Sequence, residues 1–237
     1  AIYNLKKPLF NTLSNATVEK LSLKDVNISA KYNAATIAKE ANNNTRIENV
    51  HVDGAIAGEH EIGGLVSQVN NSTISNSSYT GRITNTYKTV ASYQIGGLVG
   101  KLSGANGLID KSIASIDLAS NATRGDQSIG GIVGAVEDSA LISNSYAEGN
   151  LNNVQRFANV GGVFGNLWDP VGELEKSGQL SNVLSDVNVT NGNAIAGKHF
   201  DNMKAKHVYS NKNNKVVNVV AEDDEILTKD SDVQRGE

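Results

Sequence analysis

Cysteine is absent from this 237-residue chain, and proline occurs only twice. Without thiols there is neither a disulfide scaffold nor a thiolate zinc site. Aromatic residues make up 5% of the sequence, with a single Trp, too few for an aromatic-rich core. No apolar run approaches the roughly 18–20 residues that span a bilayer as a helix. Basic residues form no stripe and the net charge is only −4, which argues against a nucleic-acid partner. No leader of charged then apolar residues opens the sequence, so Ala1 reads as an artificial start rather than a biological one. Long runs of Leu, Glu, Lys and Ala, which a helical bundle needs, are missing too.

What remains is Gly, Asn, Ser, Thr, Val and Ile, a mixture suited to many short strands joined by tight turns. One string recurs: Ile62-Gly-Gly-Leu-Val66, Ile95-Gly-Gly-Leu-Val99, Ile129-Gly-Gly-Ile-Val133 and Val160-Gly-Gly-Val-Phe164. Ile195-Ala-Gly-Lys reads as a decayed copy, and the starts differ by 33, 34, 31 and 35 residues. A second string alternates with the first, at Ile47-Glu-Asn49, Ile74-Ser-Asn76, Ile142-Ser-Asn144 and Leu180-Ser-Asn182, with Ile109-Asp-Lys111 departing at the Asn. Nine residues after each start comes another aliphatic: Ile56, Ile83, Leu118, Leu151 and Val189.

Between these landmarks the residues alternate. Val50 and Val52 become Ser77 and Tyr79, then Ser112 and Ala114, then Ser145 and Ala147. Period-two alternation puts each set on one face of a strand, and the small size of most members predicts a tight interior column. The spacing between the two strings varies while the strings do not, as expected when insertions escape only as loops. The glycine pairs Gly63-Gly64, Gly96-Gly97, Gly130-Gly131 and Gly161-Gly162 therefore serve packing. Either the backbone bends there with positive φ or two sheets approach too closely for a Cβ.

The expected fold is all-β: a parallel β-helix, or β-solenoid, of about five to six irregular coils with variable loops. Residues 1–46 form an N-terminal cap and degenerate first coil, with Asn33 to Asn44 as a short helical turn or loop. Residues 47–210 hold the repeats. Residues 211–237 carry a terminal strand at Val216 to Val220 and a charged linker.

The Ile-Gly-Gly-Leu-Val-Gly strings, clearest at Ile95 to Gly100, resemble the GLUG repeat named after its Gly-Leu-Gly core. Together with Asn144 to Tyr146, Pro8-Leu-Phe10 and Ala16-Thr-Val18, they resemble the N-terminal region of the streptococcal immunoglobulin A1 proteases and their sister zinc metalloproteases. The resemblance covers roughly residues 10–200. It implies a parent that is a secreted or cell-wall-associated extracellular zinc endopeptidase. It also implies that this region is not itself an enzyme, carries no cofactor, and contacts immunoglobulin A1, another host protein or the protease's own downstream domains. The zinc helix His-Glu-x-x-His lies elsewhere, because the nearest string, His60-Glu-Ile-Gly-Gly64, has Gly where the second imidazole must be.

Other chemistry reads weakly. His51, Asp53 and His60, or His199, Asp201 and His207, are loose clusters that read as solvated residues before they read as metal ligands. Gly100-Lys101-Leu102 lacks the hydroxyl of a phosphate loop, and Gly125-Asp-Gln-Ser128 is not a nucleophile elbow. Asp110, Asp117, Asp126, Glu137 and Asp138 form no repeated acidic column of the kind a sugar-cleaving groove would need. Tyr87, Tyr93, Phe157 and Trp168, with Arg82 or Arg156, are the candidate partner surface, since exposed aromatics beside Arg suit protein contact. Two other functions compete: a surface adhesin whose loops bind host protein or glycan, and a carbohydrate-active β-helix enzyme.

Overall fold

Both recurring strings are strands, and each pairs in parallel with its own copies. The computed structural model describes residues 1–86, 93–120, 127–153, 159–168, 179–198 and 204–210. Its 22 strands, numbered β1 to β22 in chain order, form three parallel sheets, with no helix among the described residues.

The largest sheet holds β1 (Ile2–Tyr3), β3 (Thr17–Ala30), β5 (Arg46–Gly58), β8 (Thr73–Ser75), β9 (Ser78–Asn85), β12 (Leu108–Asp110), β13 (Ile113–Ser120), β16 (Leu141–Ser143), β17 (Tyr146–Asn153), β20 (Gln179–Thr190) and β22 (Lys204–Ser210). Within it the path β5–β8–β12–β16–β20–β17–β13–β9 returns to β5, so eight parallel strands close into a ring. The ring closes because β5 and β20 run unbroken where the three intervening repeats divide into two strands each. The glycine strings supply β6 (Ile62–Gly63), β10 (Tyr93–Gly96), β14 (Gln127–Gly130) and β18 (Asn159–Gly161). The third sheet contains β2 (Phe10–Ser14), β4 (Ala38–Asn42), β7 (Val66–Asn70), β11 (Val99–Ser103), β15 (Val133–Glu137), β19 (Phe164–Trp168) and β21 (Ala196–Lys198).

Register aligns like with like. Ile47, Ile74, Ile109, Ile142 and Leu180 form one buried column, and Ile56, Ile83, Leu118 and Leu151 another. Ile62, Ile95, Ile129 and Val160 form a third. These aliphatic columns are the core, each fully buried side chain contributing about 1.5–3 kcal/mol.

The glycine pairs sit where sheets meet too closely for a Cβ, and none has positive φ. A Cβ on Gly63, Gly96, Gly130 or Gly161 would overlap the carbonyl oxygen of Val66, Val99, Val133 or Phe164. One on Gly64, Gly97 or Gly131 would overlap the carbonyl of Gly97, Gly131 or Gly162 in the next repeat, and one on Gly162 that of Ala194. The second glycine of each pair also faces the interior column Tyr79, Ala114, Ala147 and Ser185. Tyr79 is tolerated because Gly64 leaves it the room.

The Asn of the second string has a different cause. Lys20, Asn49, Asn76, Lys111, Asn144, Asn182 and His207 occupy one column and all adopt left-handed backbone, with φ between 46° and 54°. Asn tolerates that conformation better than most residues. The bend turns the next N–H away from its backbone partner, and a serine of the following repeat accepts it. Val50 N–H donates to Ser77 Oγ (3.1 Å), Ser77 N–H to Ser112 Oγ (3.2 Å) and Ser112 N–H to Ser145 Oγ (3.2 Å). Each hydroxyl donates in turn to the carbonyl two residues before it, at Ser75, Asp110 and Ser143.

Two expectations change. Asn33 to Asn44 holds neither a helical turn nor a loop throughout: Ala34 bridges Ile62 and Ala38 pairs with Val66. Residues 34–38 are thus a further copy of the glycine string, with Ala35 and Thr36 in place of the glycines. Thr36 fits because its buried hydroxyl donates to the Gly64 carbonyl at 2.7 Å. The decayed copy at Ile195 is also out of register by three residues, since Ala196 pairs with Phe164 and Asn193 bridges Gly161.

Ser112→Ala is expected to lower stability by about 1–3 kcal/mol, because the buried Ser77 N–H loses its acceptor. Lys111→Asn is expected to raise stability by up to about 1 kcal/mol by easing left-handed strain. Urea unfolding of both variants beside the parent chain checks the two opposite signs.

Candidate functional site

Inward positions are occupied by the columns above, so chemistry is confined to outward side chains and loops. His51 and Asp53 lie two residues apart on β5, where His51 Nδ1 is 2.9 Å from Ser78 Oγ. His60 lies beyond the end of β5 and stacks on Tyr32 (centroids 4.5 Å apart), with Tyr93 tilted against it at 5.1 Å. His207 is on β22, its Nδ1 2.9 Å from Asn182 Oδ1; His199 and Asp201 lie outside the described residues. Among the described residues no three His, Asp or Glu side chains are grouped to hold a metal. His60-Glu-Ile-Gly-Gly64 runs into strand β6, so it lacks both the helix and the second imidazole of a zinc-protease motif. Among the described residues, none of these histidines is placed with other ligands to fit a zinc site.

The scattered carboxylates are engaged structurally. Asp110 Oδ1 accepts from Ser143 Oγ (2.8 Å) and Asn144 Nδ2 (2.7 Å). Asp138 Oδ2 accepts the Gly104 N–H at 3.0 Å. Glu137 pairs with Lys101 at 2.9 Å and Asp117 with Arg82 at 3.5 Å. Asp126 lies outside the described residues. Gly100 sits within β11, not before a helix, so its lysine cradles no phosphate.

The Tyr79 phenol is strongly perturbed. Burial, reinforced by the Asp53 carboxylate, pushes the Tyr79 phenol well above the ordinary tyrosine range. Its hydroxyl lies 3.0 Å from both the Gly54 and Arg82 carbonyls. It acts as a hydrogen-bond donor to backbone oxygens inside the fold.

The expected partner surface resolves unevenly. Tyr93 is fully buried, a correction: its β10 position pairs with Gln127 and points inward, where the sequence alone suggested a loop aromatic. Tyr87, Arg156 and Phe157 lie outside the described residues. Trp168 ends β19, paired with Glu137. Arg82 is exposed and held by Asp117.

A row that sequence reasoning passed over runs along the outside of the large sheet. Ser22, His51, Ser78, Ile113, Tyr146, Leu184 and Tyr209 are successive register partners on β3, β5, β9, β13, β17, β20 and β22. Their neighbours in sequence, such as Ser112, Ala114, Ser145, Ala147, Val183 and Ser185, are buried. The signal was present in the alternation: the positions between the small interior residues are the outward ones. Beside the first repeat, a cleft of about 380 Å³ is lined by Lys6, Lys7 and Lys39 with Phe10 and Ile28, and by no carboxylate or imidazole. It can attract an anion but offers no general base.

Among the described residues no nucleophile, base and orienting acid come together. Residues 1–54 match the family described as the M26 IgA1-specific metallo-endopeptidase N-terminal region, and residues 125–152 match the GLUG motif. The chain is 60% identical over its full length to an immunoglobulin A1 protease of Streptococcus sanguinis, covering 13% of that protein. The chain belongs with the N-terminal region of the streptococcal immunoglobulin A1 proteases. It is also 37% identical over 91% of its length to zinc metalloprotease ZmpC of Streptococcus pneumoniae, 11% of which it covers. A solved IgA1 protease structure superimposes with a TM-score of 0.83 at 51% identity, over 97% of this chain and 18% of that one. The chain therefore spans a small fraction of the relatives it matches.

The perturbed tyrosine fixes an alkaline response. Because its folded pKa lies above the unfolded value of about 10, its contribution is complete below pH 10 and is lost as pH rises beyond that. Thermal unfolding above pH 10 is expected to fall more steeply with pH in the parent chain than in Tyr79→Phe. Equal slopes would show that Tyr79 titrates normally.

Proposed function

We propose that this chain is a non-catalytic N-terminal module of a secreted, cell-wall-associated zinc metalloendopeptidase of the immunoglobulin A1 protease type. It helps to bind, orient or gate the immunoglobulin, while the zinc centre belongs to another part of the longer protein. The observation that carries this reading is full-length identity to proteases of which the chain covers only 13%. Its own residues support it, since His60-Glu-Ile-Gly-Gly64 runs into a strand and the described carboxylates Asp110, Asp117, Glu137 and Asp138 are tied to neighbours.

In the same reading the three sheets are faces of a parallel β-solenoid of five to six coils. The in-register pairing of each string with its copies supports this, and the eight-strand ring follows from β5 and β20 passing straight through the left-handed bend. Residues 1–46 serve as first coil and cap, 47–210 as the repeats, and 211–237 as a terminal strand and linker outside the described residues. A rigid surface remote from the chemistry contributes substrate affinity that the catalytic groups need not supply.

Removing residues 1–210 from the full-length protease is expected to raise KM for intact immunoglobulin A1 while leaving turnover of a short hinge peptide unchanged. The isolated chain is expected to cleave neither. Cleavage of immunoglobulin A1 by the isolated chain, abolished by a zinc chelator, would overturn the proposal.

A further inference from the structure

The cleft beside the first repeat has its cause in how the repeats stack. Phe10, Ala38, Val66, Val99, Val133 and Phe164 are register partners in one column. From Ala38 onward the next residue in sequence is Lys39, Ser67, Gly100, Gly134 and Gly165. In the later repeats this position closes on the glycine string of the repeat before. A Cβ on Gly134 or Gly165 would overlap the backbone nitrogen of Ile95 or Ile129. Those two residues open their strings, four positions before Val99 and Val133. By the same count Lys6 stands four positions before Phe10, and Lys7-Pro8 takes the place of a glycine pair. The junction that later repeats close with glycine against isoleucine therefore holds Lys39 and Lys6 here, and both line the cleft.

Such a junction cannot close. Two ammonium groups repel each other, Pro8 has no N–H to pair, and Lys7 brings a side chain where later repeats have none. The pairing fails accordingly: Ala34 bridges Ile62, but among the described residues no bridge joins Lys6 to Ala34. The space left is about 380 Å³, the size of a small-ligand site. Lys6, Lys7 and Lys39 line it and no carboxylate does. Among the described residues none of the three forms an ion pair. A cleft lined by charge of one sign focuses the field and draws the opposite charge. Lysines that only blunt a sheet edge stand on the edge strand, whereas half-buried Lys39 lies on β4, paired by β2 on one side and β7 on the other. Pro8 and Phe10 add an apolar wall, Phe10 being 42% exposed. Lysine holds phosphate as a compact point charge with three donors, while planar carboxylate recognition favours the arginine fork. No arginine lines the cleft.

We propose that this cleft binds a phosphate ester. Lys6, Lys7 and Lys39 hold the phosphate oxygens, and the organic group rests on Pro8 and Phe10. The bound anion offsets the like-charge contact that repeat stacking creates at this junction. A small monoester and a phosphodiester polymer carry the same chemistry, and the test separates them. The inference requires nothing of the longer protein, its zinc centre or immunoglobulin, so it stands or falls apart from the function proposed above.

Isothermal titration calorimetry of the 237-residue chain at low salt makes the test, with glycerol phosphate, poly(glycerol phosphate), inorganic phosphate and acetate as probes. The expected result is saturable binding of glycerol phosphate, tighter than inorganic phosphate and about tenfold tighter than acetate. Lys39→Gln and Lys6→Gln are each expected to weaken it about fivefold, as loss of a charge-assisted hydrogen bond does. Arg82→Gln removes the same charge outside the cleft and is expected to change little. Phe10→Ala is expected to erase the advantage over inorganic phosphate. Thermal unfolding without ligand separates weakened binding from lost structure, since relief of like-charge contact is expected to leave Lys39→Gln at least as stable as the parent. Exposed Lys6 supplies the second variant. Tighter binding of the polymer per phosphate would assign the site to a polymer, and tighter binding of the monoester to a small ester; either supports the proposal. No saturable binding of either ester, equal binding of acetate, or equal weakening by Arg82→Gln and the lysine variants would overturn it.

Discussion

Parallel pairing in register governs this molecule. When each strand lies beside its own copy in the next repeat, every position becomes a column, and a column must be compatible with itself. Aliphatic side chains satisfy this by stacking. A left-handed bend satisfies it only if every member adopts the bend, as Lys20, Asn49, Asn76, Lys111, Asn144, Asn182 and His207 all do. The N–H groups displaced by the bend must then be met by something repeated, and the Ser77, Ser112 and Ser145 hydroxyls meet them. Glycine is required at the first position of each pair by the carbonyl three residues on in the same repeat, and at the second by a carbonyl of the following repeat. Both demands come from a close approach, and none of the pairs has positive φ.

This explains which features could be read from the residues. The glycine pairs announced themselves because the same close approach recurs four times. Whether bending or approach required them was not legible, since both select glycine. The Asn of the second string was visible as a pattern, but its left-handed role was hidden wherever Lys or His carries the same backbone. The copy at residues 34–38 escaped notice because Ala35 and Thr36 replace the glycines, and a hydroxyl aimed at a carbonyl has no signature in one sequence. Tyr93 misled for a related reason. It stands at the edge of a variable connection, yet its register with Gln127 sends it inward.

Column logic also accounts for how the described polar residues are arranged. Catalysis needs unlike groups brought together, whereas stacking brings like groups together. The described carboxylates at 110, 117, 137 and 138 break the repeat, and each is tied to a local partner: Asp110 to Ser143 and Asn144, Asp117 to Arg82, Glu137 to Lys101, Asp138 to the Gly104 N–H. Exposed pairs such as Arg82–Asp117 add little stability, but they fix side chains that would otherwise be free to act. The strongly shifted Tyr79 directs its hydroxyl at backbone carbonyls.

Outward positions escape the self-compatibility rule because solvent accepts any polar residue there. A departure on the outside is therefore more informative than one within. Inside, Ile116 and Val187 replace glycine in the column of Gly54, Gly81 and Gly149, and they do so without the positive φ that the three glycines adopt. Outside, the step from Ser78 to Ile113 leaves an isoleucine 45% exposed.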